Sequence, residues 1–199
     1  MRITIDVDAK ELNQIHRVFV GSMMDIFEKP MPLIDSKGNK NVERTTGNVR
    51  ERFFHEVVPS SPNLIFLLLT KRPSNINRDI PMSWKTNPPK NIMYGTSPVN
   101  QETSNTLINH LMQVRGRKFL SVEPQLAEIT LLPWLAENKI DWVIQGGESG
   151  PHKRMFDTDW ARKVKAEFQE TNTPYFFKQI DKKQAIPGDL MVREFPTQI

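Results

Sequence analysis

The chain has 199 residues, with 27 lysine or arginine, 23 aspartate or glutamate, a formal charge of +4 and no cysteine. That length suits one domain. The missing thiols exclude disulfides, a cysteine zinc site and any iron–sulfur cluster held by this chain alone, and they fit a reducing, cytoplasmic setting.

The opening residues MRITIDVDAK lack the apolar core of a secretory signal. Residues 17–20 form the first predicted strand. Residues 29–48 contain MPLIDSKGNKN, a polar, glycine-bearing stretch that reads as an excursion or flexible loop. Val49, Phe53 and Val57 then share one helical face. Residues 64–69 are a strand and the longest apolar run, far short of the ~20 residues that span a bilayer, so no membrane is expected as a partner. Residues 79–90 carry Pro81, Pro88 and Pro89, which forbid an ordinary helix.

A strand at 92–94 follows, then a helix over 100–114 with Leu107, Leu111 and Val114 on one face. Next come a strand at 118–120, a short helix at 133–138 and a strand at 142–144. A helix over 159–170 carries Trp160, Val164 and Phe168 behind a cap at Asp157 or Thr158. The last strand is 175–177. The irregular tail, 181–199, should pack Leu190, Val192 and Phe195 back on the body.

These strands show little alternation, as expected when both faces are buried in a parallel sheet. Strand following helix following strand argues for an α/β fold with right-handed crossovers. A closed eight-stranded barrel takes ~250 residues. The expected architecture is therefore a single domain over 1–199, a partial, open parallel βα barrel of about six strands, with an open doubly wound sheet as the competitor.

Each predicted strand ends in polar residues. Gly21, Ser22 and Asp25 follow the first; Thr70, Lys71 and Arg72 follow the second; Ser97 lies just past the third. Ser121 and Glu123 follow the fourth, Gln145-Gly146-Gly147-Glu148-Ser149-Gly150 the fifth and Lys178-Gln179 the sixth. In parallel βα folds these ends form one rim, where ligands bind. Turns are polar in any protein, but generic turns favour Asn, Gly, Ser and Pro over this run of Asp, Lys, Arg and Glu. The expected ligand-binding set is Ser22, Asp25, Thr70, Lys71, Arg72, Ser97, Glu123, Gln145, Gly146, Gly147, Glu148, Ser149 and Lys178. The glycines could admit a ligand's close approach, and Lys71-Arg72 could hold a carboxylate or phosphate or simply be a surface basic pair. The glycine loop has neither the dinucleotide fingerprint nor a phosphate-loop lysine.

His16, His55, His110 and His152 show no metal spacing, and only His152 lies near the rim. The basic clusters at 115–118 and 178–183 read as solvated surface, with a nucleic-acid footprint as the alternative.

Six segments carry a resemblance. They are RVFVGSMMDIF (17–27), LLTKRP (68–73), YGTS with NQET (94–97 and 100–103), FLSVEP (119–124), DWVIQGGESG (141–150) and YFFKQ (175–179). In this order they resemble motifs of a phage-associated, radical-SAM-like family of unassigned function, usually labelled by phage gene products thirty-seven and sixty-eight. The resemblance implies a radical-SAM-type partial barrel and a phage or prophage setting in the bacterial cytoplasm. Family members carry a further N-terminal segment with cluster-ligating cysteines, which this chain lacks. The expectation is a cluster-less binding or regulatory protein that holds no cofactor by itself, with S-adenosylmethionine or a related nucleotide as candidate ligand. Counter-defence against a host nucleic-acid-targeting system is one such role. The alternatives are half of a split radical-SAM enzyme whose partner chain brings the cluster, and an interaction protein that pairs with a protein partner, a second copy, a nucleic acid or a ribonucleoprotein.

Overall fold

The structure, a computed structural model, describes residues 4–21, 24–136, 139–168, 171 and 173–196. Helix α1 (Thr4–Glu11) leads into strand β1 (His16–Phe19). A hairpin of β2 (Pro32–Ile34) and β3 (Lys40–Thr45) follows. Helix α2 (Thr46–Arg52) continues through a π-helical turn, Phe53–Val57, into α3 (Val58–Ser60). Then come β4 (Leu64–Thr70), α4 (Ile76–Asp79), α5 (Met82–Thr86), β5 (Ile92–Thr96) and α6 (Gln101–Met112). The chain ends through β6 (Arg117–Val122), α7 (Leu132–Leu135), β7 (Trp142–Gly146), α8 (Thr158–Phe168) and β8 (Tyr175–Gln179).

The main sheet has the order β1-β4-β5-β6-β7-β8, and every pairing in it is parallel. Each strand lies beside the next sheet strand in the chain, so the crossovers all step the same way and the sheet curls into an open half-barrel. The doubly wound alternative would need the order to reverse, and it does not.

Side chains alternate across this sheet. Leu64, Phe66 and Leu68, with Tyr94, Leu120, Val143 and Phe177, join the helices in one core. Ile65, Leu67, Met93, Phe119, Trp142 and Ile144 form a second cluster on the opposite, concave face. Both faces are buried, which is why the strands read as continuous apolar runs.

The structure changes several local expectations. The stretch 29–48 is an excursion from the βα rhythm, but it is folded rather than loose. β2 and β3 pair antiparallel around a turn where the Asp35 carboxylate accepts the Lys37 and Asn39 amides, each at 2.8 Å. The buried face of α2–α3 is Arg50, Phe54 and Val58, one residue on from the valine face expected. Val49 is 49% exposed, because Arg50 turns inward to donate to the carbonyls of Ile26 and Glu28. Helix α5 starts immediately after Pro81 and ends before Pro88, so the prolines bound a short helix that buries Trp84. On α6, Leu107 is half-buried, and Ser104, Ile108 and Leu111 take the inward face. Asp157 is the cap ahead of α8, accepting the Asp159 amide at 2.8 Å. Of the short helix expected over 133–138, residues 137 and 138 lie outside the described residues, and the observed turns span Leu132–Leu135. Residues 169 and 170 of the α8 expectation lie outside them too.

The tail packs back on the body, as the sequence implied. Leu190 is fully buried. The Phe177 amide donates to the Val192 carbonyl at 3.1 Å and the Glu194 amide to the Tyr175 carbonyl at 3.0 Å. The Phe195 ring, half-exposed, lies 5.6 Å from Trp142 and 5.3 Å from Phe176. Arg17 on β1 donates to the Pro196 carbonyl at 2.9 Å. The tail thus bridges both edge strands of the half-barrel.

Gly95 on β5 faces the concave side, where an added Cβ would stand 2.2 Å from the Phe119 ring. That ring is fully buried against Trp142. Gly95→Ala should therefore destabilise by about 1–3 kcal/mol, lowering the melting temperature by about 2–10 °C. Gly150→Ala, with no atom within 4 Å of the added carbon, should leave it unchanged. Thermal unfolding of both variants checks this.

Candidate functional site

The alternation that fills the two cores also decides which side chains reach the rim. On the concave face, Leu67 and Leu69 lead to Lys71, Met93 and Gly95 to Ser97, Phe119 and Ser121 to Glu123, and Phe176 to Lys178. Above the apolar cluster these residues line two adjoining clefts. The first, about 490 Å³, is lined by Phe19, Gly21, Met24, Asp25, Glu28, Leu69, Thr70, Lys71, Ser97 and Glu123. The second, about 340 Å³, is lined by Ser121, Glu123, Pro124, Gly147, Glu148, Ser149, Lys178 and Gln179. Leu69 and Glu123 belong to both, so the clefts form one groove with Glu123 at its middle.

Glu123 is held from two sides. Ser121 Oγ donates to its Oε1 at 2.9 Å, and Lys178 Nζ meets its Oε2 at 2.8 Å. Ser97 Oγ donates to the Glu123 carbonyl at 3.1 Å. At the other end, Asp25 Oδ2 accepts from Thr70 Oγ1 at 2.8 Å and from the Lys71 amide at 3.1 Å. Its Oδ1 accepts the Phe27 amide at 3.0 Å. Thr70 is buried and also accepts the Arg72 amide at 2.8 Å, so its hydroxyl ties the loop after β1 to the end of β4.

The expected site residues divide. Asp25, Thr70, Lys71, Ser97, Glu123, Gly147, Glu148, Ser149 and Lys178 line the groove, whereas Arg72, Gln145 and Gly146 do not. Lys71 and Arg72 part company. Lys71 faces the groove, whereas Arg72 turns to Glu28, at 3.4 Å, and lines a neighbouring cavity. Gln145 is fully buried on the helix-covered side, where it bonds to Gln125 and the Tyr175 hydroxyl. It positions strands and does not reach the groove.

The glycine pair serves the fold's own packing. A Cβ at Gly146 would meet the Gln179 carbonyl at 2.9 Å, and one at Gly147 the Ile180 carbonyl at 2.1 Å. The space these glycines leave is taken up by the end of β8, Ile180 and Phe156, while the Gly147 backbone lines the smaller cleft. Met24 is 49% exposed and lines the groove instead of the core. Ser22 and Met23 lie outside the described residues. His152 is exposed and lines neither cleft. Lys118 of the 115–118 basic cluster is buried, donating to the Gly116 carbonyl at 2.9 Å. Glu28 was missed from sequence, and Ser121, named at the strand end but left out of the expected set, could have been included by counting two residues back from Glu123 on one strand face.

Glu148 is clamped by an unanticipated partner. Arg154 Nε and Nη2 meet its two oxygens at 2.9 and 2.8 Å, and the Arg154 amide adds a third bond. These bonds lower the Glu148 carboxyl to about 2. Among the described residues no group of three His, Cys, Asp or Glu side chains stands together in a way that could hold a metal ion. With no thiolate in the chain, the donors present do not fit an iron–sulfur cluster.

Fold and groove together define a parallel βα half-barrel protein with its ionisable side chains gathered at the carboxyl ends of the strands. Residues 7–187 match the family described as proteins of unknown function, DUF5131, and the chain belongs to that family. No curated protein and no solved structure matches the chain.

The Glu148–Arg154 clamp has a pH signature. A depressed carboxyl contributes order to the folded loop above the ordinary value of 4.5 and loses that contribution as pH falls toward about 2. Arg154→Ala should return the Glu148 titration to the ordinary carboxylate range, read by NMR of the side-chain carboxyl. An unmoved titration would refute the clamp.

Proposed function

We propose that this protein is a binding protein that seats a nucleoside-type ligand, S-adenosylmethionine or a related nucleotide, in the groove along its strand ends, and acts as a regulator rather than as an enzyme by itself. The observation that carries the reading is Glu123, a carboxylate fixed at the junction of two clefts whose sizes fall in the range of small-molecule sites. Carboxylates are acceptors for ribose hydroxyls or an ammonium group. Asp25 and Glu123 supply them in the larger cleft, with Phe19, Met24 and Leu69 as an apolar wall.

The likeness of the six rim segments to a phage-associated, radical-SAM-like family supports a phage or prophage setting in the bacterial cytoplasm. The partner to be regulated would be a host protein or ribonucleoprotein, as in counter-defence. Half of a split radical-SAM enzyme is the second reading, supported by the likeness of the same six rim segments to that family. It needs a partner chain to bring the cysteines, and an iron-containing complex on co-expression would support it.

Thermal shift with S-adenosylmethionine, its breakdown products and nucleotides tests the first reading. A ligand that binds the native state raises the melting temperature. Glu123→Gln, which keeps the shape and removes the charge, should weaken binding about tenfold. No shift with any of these ligands sinks the proposal.

A further inference from the structure

A third cavity, about 490 Å³, lies beside the groove, next to the segment that enters β2. Glu28 lines both this cavity and the larger cleft, so the two adjoin at its side chain. The cavity walls carry four cations, Lys29, Arg50, Arg72 and Arg78, against two carboxylates, Glu28 and Asp79.

The carboxylates do not neutralise this set. Asp79, nearly buried, is shared by two guanidinium groups. Arg50 Nη1 meets its Oδ2 at 3.1 Å, while Arg78 Nε and Nη2 bond its two oxygens at 2.8 and 2.9 Å. Arg72 meets Glu28 at only 3.4 Å, and Lys29 is exposed. Arg50 is 8% exposed, and its Nε is buried without a hydrogen-bond partner. Its remaining bonds, to the carbonyls of Ile26 and Glu28, fix the guanidinium. A concave pocket with an excess of one sign of charge concentrates ions of the other. Guanidinium N–H groups match the oxygens of a phosphate, and a guanidinium already held in place loses little freedom on binding one.

We infer that this cavity is a phosphate subsite of the rim groove, so that the ligand is a phosphate ester of a nucleoside, with its phosphate among Lys29, Arg72 and Arg78 and its sugar toward Asp25 and Glu123. The inference rests on the groove being a ligand site, and the test separates the two.

Isothermal titration compares the common nucleoside 5′-monophosphates, the matching nucleosides and pyrophosphate on the native protein, on Lys29→Gln and on Arg78→Gln. Lys29→Gln changes an exposed side chain and guards against loss of the fold. At least one monophosphate should bind about tenfold or more tightly than its nucleoside. That advantage should shrink in both variants and with added salt. Equal binding of nucleosides and monophosphates, untouched by either variant, overturns the phosphate subsite and leaves the groove standing. Pyrophosphate binding that both variants weaken, with no binding of any nucleoside or monophosphate, keeps the anion site and sinks the groove. Silence from monophosphates and pyrophosphate overturns the inference whatever the nucleosides do.

Discussion

The ion pair between Glu123 and Lys178 joins two strands that are not neighbours, since β7 lies between β6 and β8. Gly146 of β7 lies between those strands, and a Cβ there would sit at van der Waals distance, 3.5 Å, from Lys178 Cβ. As an energy the pair is small, about 1 kcal/mol or less for a contact whose lysine is half-exposed. Its weight is geometric. It turns the carboxylate to the junction of the two clefts, and Ser121 holds the second oxygen from below.

Neighbouring rim loops are tied to one another in the same manner. Asp25 takes Thr70 and the Lys71 amide, Ser97 reaches the Glu123 carbonyl, the Gln125 amide donates to the Gly146 carbonyl and the Gly147 amide to that of Gln179. These bonds hold the groove in shape before anything enters it. A ligand that meets a prearranged wall avoids the ordering cost that loose loops would impose. The two apolar clusters beneath supply the stiffness, because side chains packed on both faces of the sheet leave its strands little room to shift.

The parallel strands were legible because fully buried strands have a distinctive composition, while the choice between a partial barrel and a doubly wound sheet rested on the strand order that only the structure gives. The polar rim was legible for the same reason, since it begins where each apolar run stops. What a linear reading could not assign was direction. Gln145 opens a polar motif yet, as the penultimate residue of β7, points into the core, and the glycines beside it give their space to β8 and the chain just past it. Lys71 and Arg72 are adjacent in sequence and serve different cavities. The Arg154 clamp on Glu148 and the Arg50–Asp79 pair join residues whose meeting depends on the fold. Sequence periodicity predicted Val49 as core because it could not anticipate a buried arginine one position on.

The C-terminal strap changes what kind of vessel the half-barrel is. A sheet of this curvature, left open at both ends, would be a trough through which a long polymer could run. The segment from Val192 to Pro196 instead pairs with β8, lays Phe195 over Trp142 and Phe176 and reaches Arg17 on the first strand. That makes a floor. The concave side is thus closed at the amino ends of the strands and filled above them by the apolar cluster, which leaves the groove at the carboxyl ends as its open side.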